Sequence, residues 1–140
     1  MKFLALDIGH KRIGVASCDR LEVAANPHSV IPAGAAAAAA VSKLVESEEA
    51  DGVVVGLPLS LDGKERESCE MARRFMAKLK PLVKVPIMTF DERMTSRIAE
   101  SSLIEAGMRR EKRKEIREAV SAALILKTFL DVRRVKGEKP

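Results

Sequence analysis

Tryptophan and tyrosine are absent from this chain, and phenylalanine occurs only four times. Domains that grip single-stranded nucleic acid stack bases on exposed aromatic rings. So poor a supply excludes that mode, and any hold on a polyanion must come from phosphate contacts and shape. Cysteine is nearly absent as well. Cys18 and Cys69 lie far apart, with neither zinc-site spacing nor the numbers for a disulfide framework. Cys69 falls in helical register with Ala72, Met76 and Leu79, which marks it as a small core residue. The two histidines, His10 and His28, stand alone and read as turn or surface residues. No apolar run approaches the length of a membrane span. The opening stretch MKFLALDIG meets an acid at position 7, too early for a signal-peptide core. A reducing cytoplasm, with no membrane partner, is the expected setting.

What is present is enough for one buried core. The chain has 140 residues, 46% of them hydrophobic, and both signs of charge are interspersed along most of it. The net charge of +5 permits a polyanionic partner without requiring one. Lys and Arg are in greatest excess in the last third.

The hydrophobic pattern gives an order of elements. Residues 2–6 form a short apolar run ending at Asp7, and a turn through Gly9, His10, Lys11 and Arg12 leads to a second run from Ile13. Two strands so tightly joined predict a hairpin. A third strand is expected over 24–31, with Pro27 placing part of it at an edge. Pro32 opens an Ala-rich stretch to about Glu49, predicted helical because Ala is the best helix former and Val41, Leu44 and Val45 give it an apolar side. Asp51-Gly52 is expected to stop it. The β-branched run GVVVGLP then reads as a central strand buried on both faces. After a polar loop over 60–66 come a helix over 65–80, a strand ending at Asp91-Glu92, a helix from Thr95 or Ser96 through Ala106, and a last helix to about Leu130. The prediction is a single α/β domain over 1–132. Its mixed sheet has an initial antiparallel hairpin, then parallel strands, with helices on both faces. A basic tail over 133–140 is expected to fray.

Function in such sheets collects at the carboxyl ends of strands. Asp7 ends the first strand, and Asp91 with Glu92 ends the last. Either site alone has a bland explanation, since Asp commonly caps turns. On the last helix the main apolar stripe is Ile116, Ala119, Val120, Ala123 and Leu130, with Lys114, Arg117, Ser121 and Thr128 on the water side. Glu118 shares a second line with Ala122, Ile125 and Phe129, which puts a carboxylate at the edge of an apolar face. A salt bridge to Arg117 or a neighbouring base would also explain it. Carboxylates that converge repel one another unless a counter-charge is supplied. Hard oxygen ligands suit Mg²⁺ or Mn²⁺, and two such ions about 4 Å apart can drive an in-line phosphoryl displacement. Gly9 and Gly14 flank Lys11 and Arg12, a turn where a phosphate could approach the backbone.

The segments LALDIGHKRIGVASCD (4–19), VVVGLPLSLDG (53–63), TFDERMTS (89–96) and EAVSAALILKTFLD (118–131) resemble, in order, the YqgF family, also called RuvX. These are relatives of the RuvC Holliday-junction resolvases. The resemblance implies a ribonuclease-H-like fold and catalytic, metal-binding acids at Asp7, at the Asp91-Glu92 pair and at Glu118. Adjacent strand residues point to opposite faces, and Glu92 is favoured over Asp91. The resemblance also implies that Lys11, Arg12, Arg93 and Thr95 face a nucleic-acid backbone. The implied activity is maturation of the 5′ end of pre-16S rRNA, on free precursor or on a ribosomal particle. Branched DNA is the second substrate class. The last-helix acid of these proteins is usually Asp, and Glu118 carries one methylene more.

Two readings from other classes compete. D-x-G-x-x-x-x-G also resembles the first phosphate loop of actin-like ATPases, which need two such domains to close on a nucleotide. A non-catalytic assembly factor could dock RNA through the basic stretch 109–117 without cutting it. The oligomeric state, monomer or homodimer, is left open.

Overall fold

The computed structural model describes residues 1–57, 67–91 and 110–137, and within them the side chains of all but 67–68 and 110–115. The polar loop over 60–66, the helix expected through Ala106, and Glu92, Arg93 and Thr95 lie outside the described residues. Chain order is β1 (Phe3–Ile8), β2 (Arg12–Cys18), β3 (Ala25–Pro32), α1 (Ala37–Ser47), β4 (Gly52–Leu57), α2 (Glu67–Leu79), a 3₁₀ turn (Lys80–Leu82), β5 (Ile87–Asp91) and α3 (Arg110–Val135). The strands form one sheet in the order β3-β2-β1-β4-β5. β1, β2 and β3 pair antiparallel, while β4 pairs parallel with β1 and with β5.

The predicted hairpin closes through Gly9, whose N–H donates to the Arg12 carbonyl at 2.9 Å. A Cβ on Gly9 would lie 2.7 Å from that carbonyl oxygen, so the turn needs glycine. β3 is the edge strand that Pro27 foretold. Its register against β2 shifts between Val15 and Ala16, leaving His28 as the extra residue. His28 Nε2 meets Glu48 on the α1 side, and Lys2 Nζ reaches the same carboxylate at 2.8 Å.

α1 begins later than the Ala content predicts. Pro32 still pairs with Arg12, the Ala33 N–H donates to Lys11 O at 2.9 Å, and Gly34 has φ 144°. Those ties hold the chain extended, and helix propensity acts only beyond them. The helix also ends earlier than Asp51-Gly52. Glu49 takes the left-handed conformation at φ 52°, and the Ala50 N–H closes onto Val45 O.

Alternation along the strands assigns two cores. Leu4, Leu6, Ile8, Ile13, Val15, Val53, Val55 and Leu57 face α1 and α2. Phe3, Ala5, Ala16, Cys18 and Val54 face α3, with Met88 and Phe90 packed against the same core. Apart from Phe3, the α3 face of β1 and β2 is built from small side chains, and Ala119, Ala122 and Ala123 answer them from the helix. Small residues on both sides let the helix lie close.

The far end of α3 is anchored rather than frayed. The helix continues through Val135, and Arg133 stacks 4.9 Å over the Phe3 ring. Arg133 Nε also donates to Glu22 at 2.6 Å, with the N-terminal amine 3.3 Å from the same carboxylate. Glu22 is buried and adopts φ 58°. Burial works to raise its pKa, but hydrogen bonds from Arg133 and the amine outweigh it and hold the carboxyl below its usual range. Its stabilising contribution is therefore present above the ordinary Glu pKa and lost as pH falls below it. Glu22→Gln is expected to lower stability by about 2–3 kcal/mol at pH 7, because it removes the buried negative charge that both Arg133 and the N-terminal amine contact. Urea unfolding at pH 7 and pH 3.5 checks this, with the difference shrinking at the lower pH.

Candidate active site

Asp7 lies near the carboxyl end of β1, one residue before the hairpin turn, and alternates with Phe3 and Ala5 onto the α3 face. Directly across the ladder, its partner in β2 is Gly14. A Cβ built on Gly14 would lie 2.0 Å from the Glu118 carbonyl oxygen, 2.1 Å from its carbon and 2.7 Å from Ala119 N. The backbone of α3 therefore rests on Gly14 at residue 118. Gly14 makes room for a helix, not for the phosphate that its position in the turn suggested. That seat sets Glu118 beside Asp7.

The buried face of α3 is wider than the stripe read from spacing. Ala119, Ser121, Ala122, Ala123, Ile125, Leu126 and Leu130 are buried, and Phe129 packs between Phe3 and Phe90. The line through Glu118, Ala122, Ile125 and Phe129 thus packs together with Ala119, Ala123 and Leu130 of the expected stripe, and Ser121 is not on the water side. Glu118 is part of the contact with the sheet. Its side chain is 16% exposed.

The electrostatics follow from that packing. Asp7 has its pKa raised to about 6, first by burial and second by the nearby charge of Glu118, with Arg117 opposing the rise. Glu118 Oε1 accepts from Arg12 Nε at 3.3 Å, the partner being a residue of β2 rather than Arg117. Glu118 Oε2 is buried and has no hydrogen-bond partner among the described residues. Two carboxylates thus lie close together with Arg12 bonded to one of them and the charge of Arg117 nearby, and one oxygen is left orphaned. Buried polar atoms are normally paired, so the orphan asks for a partner.

The donor set fits a hard divalent cation. Both groups are oxygen ligands, they are close enough to perturb one another, and their surplus negative charge is what such an ion neutralises. Among the described residues no three His, Cys, Asp or Glu converge as a full ligand set. Asp91 ends β5 exposed, and it alternates with Phe90 and Met88 of the α3 core, which puts it on the α1–α2 side of the sheet. The structure therefore brings Asp7, Glu118 and Arg12 together, and does not bring Asp91 to them. Lys11 is exposed in the turn between β1 and β2. The role of Gly14 had a signal in the sequence, a glycine facing the carboxylate strand, though nothing there tied it to α3. The buried Glu22 had none.

Comparison with known proteins joins this geometry to a lineage. A protein from Endomicrobium trichonymphae named "Putative pre-16S rRNA nuclease" is 38% identical over 134 residues, covering 94% of this chain and 96% of its own. A Streptomyces coelicolor protein of the same name is 39% identical over 140 residues, covering 98% and 84%. Among solved structures, T. thermophilus RuvC in complex with a Holliday junction substrate aligns over 100% of this chain and 99% of its own, with TM-score 0.64 and 15% identity. The fowlpox virus resolvase, also bound to Holliday junction DNA, covers 94% and 98% with TM-score 0.59 and 8% identity. At those identities the likeness establishes the fold, that of the ribonuclease-H-like resolvases. The family model described as "RuvX: Holliday junction resolvase" matches residues 1–132, and the chain belongs to the RuvX family.

Proposed function

We propose that this chain is a divalent-metal-dependent endonuclease that hydrolyses a nucleic-acid phosphodiester, acting in the cytoplasm on the 5′ end of pre-16S rRNA. The observation that carries the reading is the Asp7–Glu118 pair with its orphaned Glu118 Oε2 on the α3 face. The naming of the curated relatives supports the RNA substrate.

Asp7 and Glu118 would hold Mg²⁺ or Mn²⁺, with Glu92 as the third acid. The ion would supply Lewis acidity and charge neutralisation for in-line displacement at phosphorus. The chain itself supplies position. Gly14 fixes the helix that carries Glu118, and the β1–β2 ladder fixes Asp7 across from it. Lys11 and Arg12 follow on the turn beside Asp7, and with Arg93 and Thr95 they would meet the phosphate backbone. The orienting contacts are to phosphate, not to bases. Since the four phenylalanines pack into the two cores and the chain has no Trp or Tyr, shape carries the recognition.

The test is cleavage of a short RNA carrying the precursor 5′ end, in Mn²⁺ and in Mg²⁺, with a four-way DNA junction in parallel. Metal-dependent cuts confined to the RNA establish the RNA reading. Cuts in the junction, from a homodimer offering two symmetric sites, move the activity to branched DNA, the substrate class in the family's description. RNA binding without cuts under either metal leaves an assembly factor.

The extra methylene of Glu118 has its own test. Glu118→Gln is expected to weaken Mn²⁺ binding by more than about a hundredfold, since it removes a charged ligand. Glu118→Asp, the residue usual in the family, is expected to stay within about tenfold of wild type, a ligand re-aimed but still charged. Titration of Mn²⁺ into each protein gives both numbers.

A further inference from the structure

Arg12 opens β2 on the α3 face, in alternation with Gly14, Ala16 and Cys18. Its contact with Glu118 is a single bond from Nε at 3.3 Å. Arginine that is locked permanently to a carboxylate takes the two-bond fork at about 2.7–2.9 Å. Here one bond is made, it is long, and the second carboxylate oxygen is left alone. The Arg12 side chain is 37% exposed, with open water on one side of it. Arg12 is therefore placed to neutralise Glu118 and free to leave it.

A divalent ion held by Asp7 and Glu118 would have the orphaned Oε2 to bind, and it would bring a like charge up to the guanidinium held by Oε1 of the same carboxylate. The two cations cannot share Glu118 without repulsion. We propose that Arg12 is a displaceable counter-ion of the metal site, competing with the divalent cation for Glu118 until a substrate phosphate draws the guanidinium away. This rests on the nuclease reading above and adds a regulatory coupling to it. By linkage, whatever engages Arg12 tightens metal binding by the same factor that Arg12 weakens it. The free protein would hold metal weakly and the substrate complex strongly, so that loading of the site follows the polyanion.

The test is the Mn²⁺ affinity of the protein without nucleic acid, read from the free-ion signal in electron paramagnetic resonance. Wild type, Arg12→Gln and Arg12→Met are compared, with folding followed by far-ultraviolet circular dichroism. Competition predicts that both uncharged variants bind Mn²⁺ at least about fivefold more tightly than wild type, within the usual range of such couplings. A residue that merely props Glu118 in place would do the reverse, because its loss would leave the ligand misaimed. Unchanged or weaker binding by the folded variants, beside measurable binding by wild type, overturns the competition and leaves the nuclease reading standing. Absence of Mn²⁺ binding in wild type and both variants overturns both. The two uncharged replacements differ in polarity but not in reach, so a folding defect in one leaves the other to decide.

Discussion

Asp7→Asn is expected to abolish metal-dependent cleavage and, in the same protein, to raise its stability in the absence of metal. The first effect follows from the proposed role of Asp7 as a charged metal ligand beside Glu118, and a fall of more than about a hundredfold is anticipated. The second follows from the raised pKa. Burial and the Glu118 charge push Asp7 to about 6 in the folded chain, against an ordinary value of 3.8. The native state thus binds this proton more tightly than the unfolded chain does. Between about pH 4 and pH 6 stability falls as pH rises, and above pH 6 the ionised carboxylate leaves the fold weaker by about 2–3 kcal/mol.

Asparagine keeps the shape of Asp7 and removes the charge. Without metal at pH 8, the variant should therefore outlast wild type in urea by roughly that amount, and near pH 4 the two should converge. Saturating Mn²⁺ should reverse the order, because only wild type gains the binding free energy. Urea unfolding at pH 4 and pH 8, with chelator and then with Mn²⁺, yields all of these comparisons. A variant less stable than wild type at pH 8 under chelator would mean that the Asp7 carboxylate is well solvated or already paired, and the strained-site account would fail. Stability given up at a functional carboxylate is a common exchange in enzymes.

Much of this arrangement was legible in the residue pattern. Alternating apolar runs and the Gly-rich turn predict the β1–β2 hairpin, and the unbroken run from Gly52 predicts an inner strand. Asp7 and Glu118 were both identifiable as candidates, one from its place near a strand end and one from its helical register. The order of importance on α3 was not legible. Glu118 reads as an edge residue and Ser121 as a water-facing one, because periodicity records which residues are apolar and not how close a helix can come. The close approach belongs to Gly14, Ala16 and Ala5, whose small size is visible only once the helix is known to lie over them. The length of α3 is hidden in the sequence for a related reason. RRV reads as a polar tail, yet Arg133 is held by Glu22 and Phe3, two residues distant in sequence. Likewise the partner of Glu118 is Arg12 rather than its neighbour Arg117, a contact that only the folded sheet creates.

The same close approach predicts a large stability loss from a single added methyl group. Gly14→Ala would place a carbon 2.0 Å from the Glu118 carbonyl oxygen and 2.1 Å from its carbon. Ordinary contacts start near 3.5 Å, and both neighbours are backbone atoms that cannot rotate aside. The helix must lift by more than an ångström, and Ala122, Ile125 and Leu126 lift with it from their buried positions. Overpacking of this kind costs at least about 3 kcal/mol. For a domain of this size that corresponds to a fall in melting temperature of about 10 °C or more. Gly9→Ala is the internal comparison. Its added carbon meets one carbonyl oxygen, at 2.7 Å, in a turn with no helix above it, so its loss should be distinctly smaller. The two substitutions should also separate in their effect on the site. Lifting α3 moves Glu118 away from Asp7, so Gly14→Ala should weaken Mn²⁺ binding even at temperatures where the protein remains folded. It should also lower the Asp7 pKa toward its ordinary value, since burial and the Glu118 charge both recede. Thermal unfolding of both variants, followed by Mn²⁺ titration at 15 °C, distinguishes a seat for the helix from a glycine kept for the turn. If Gly14→Ala melted within a degree or two of wild type, the helix would have to be held off the sheet by something other than Gly14, and the pairing of Asp7 with Glu118 would lose its structural cause.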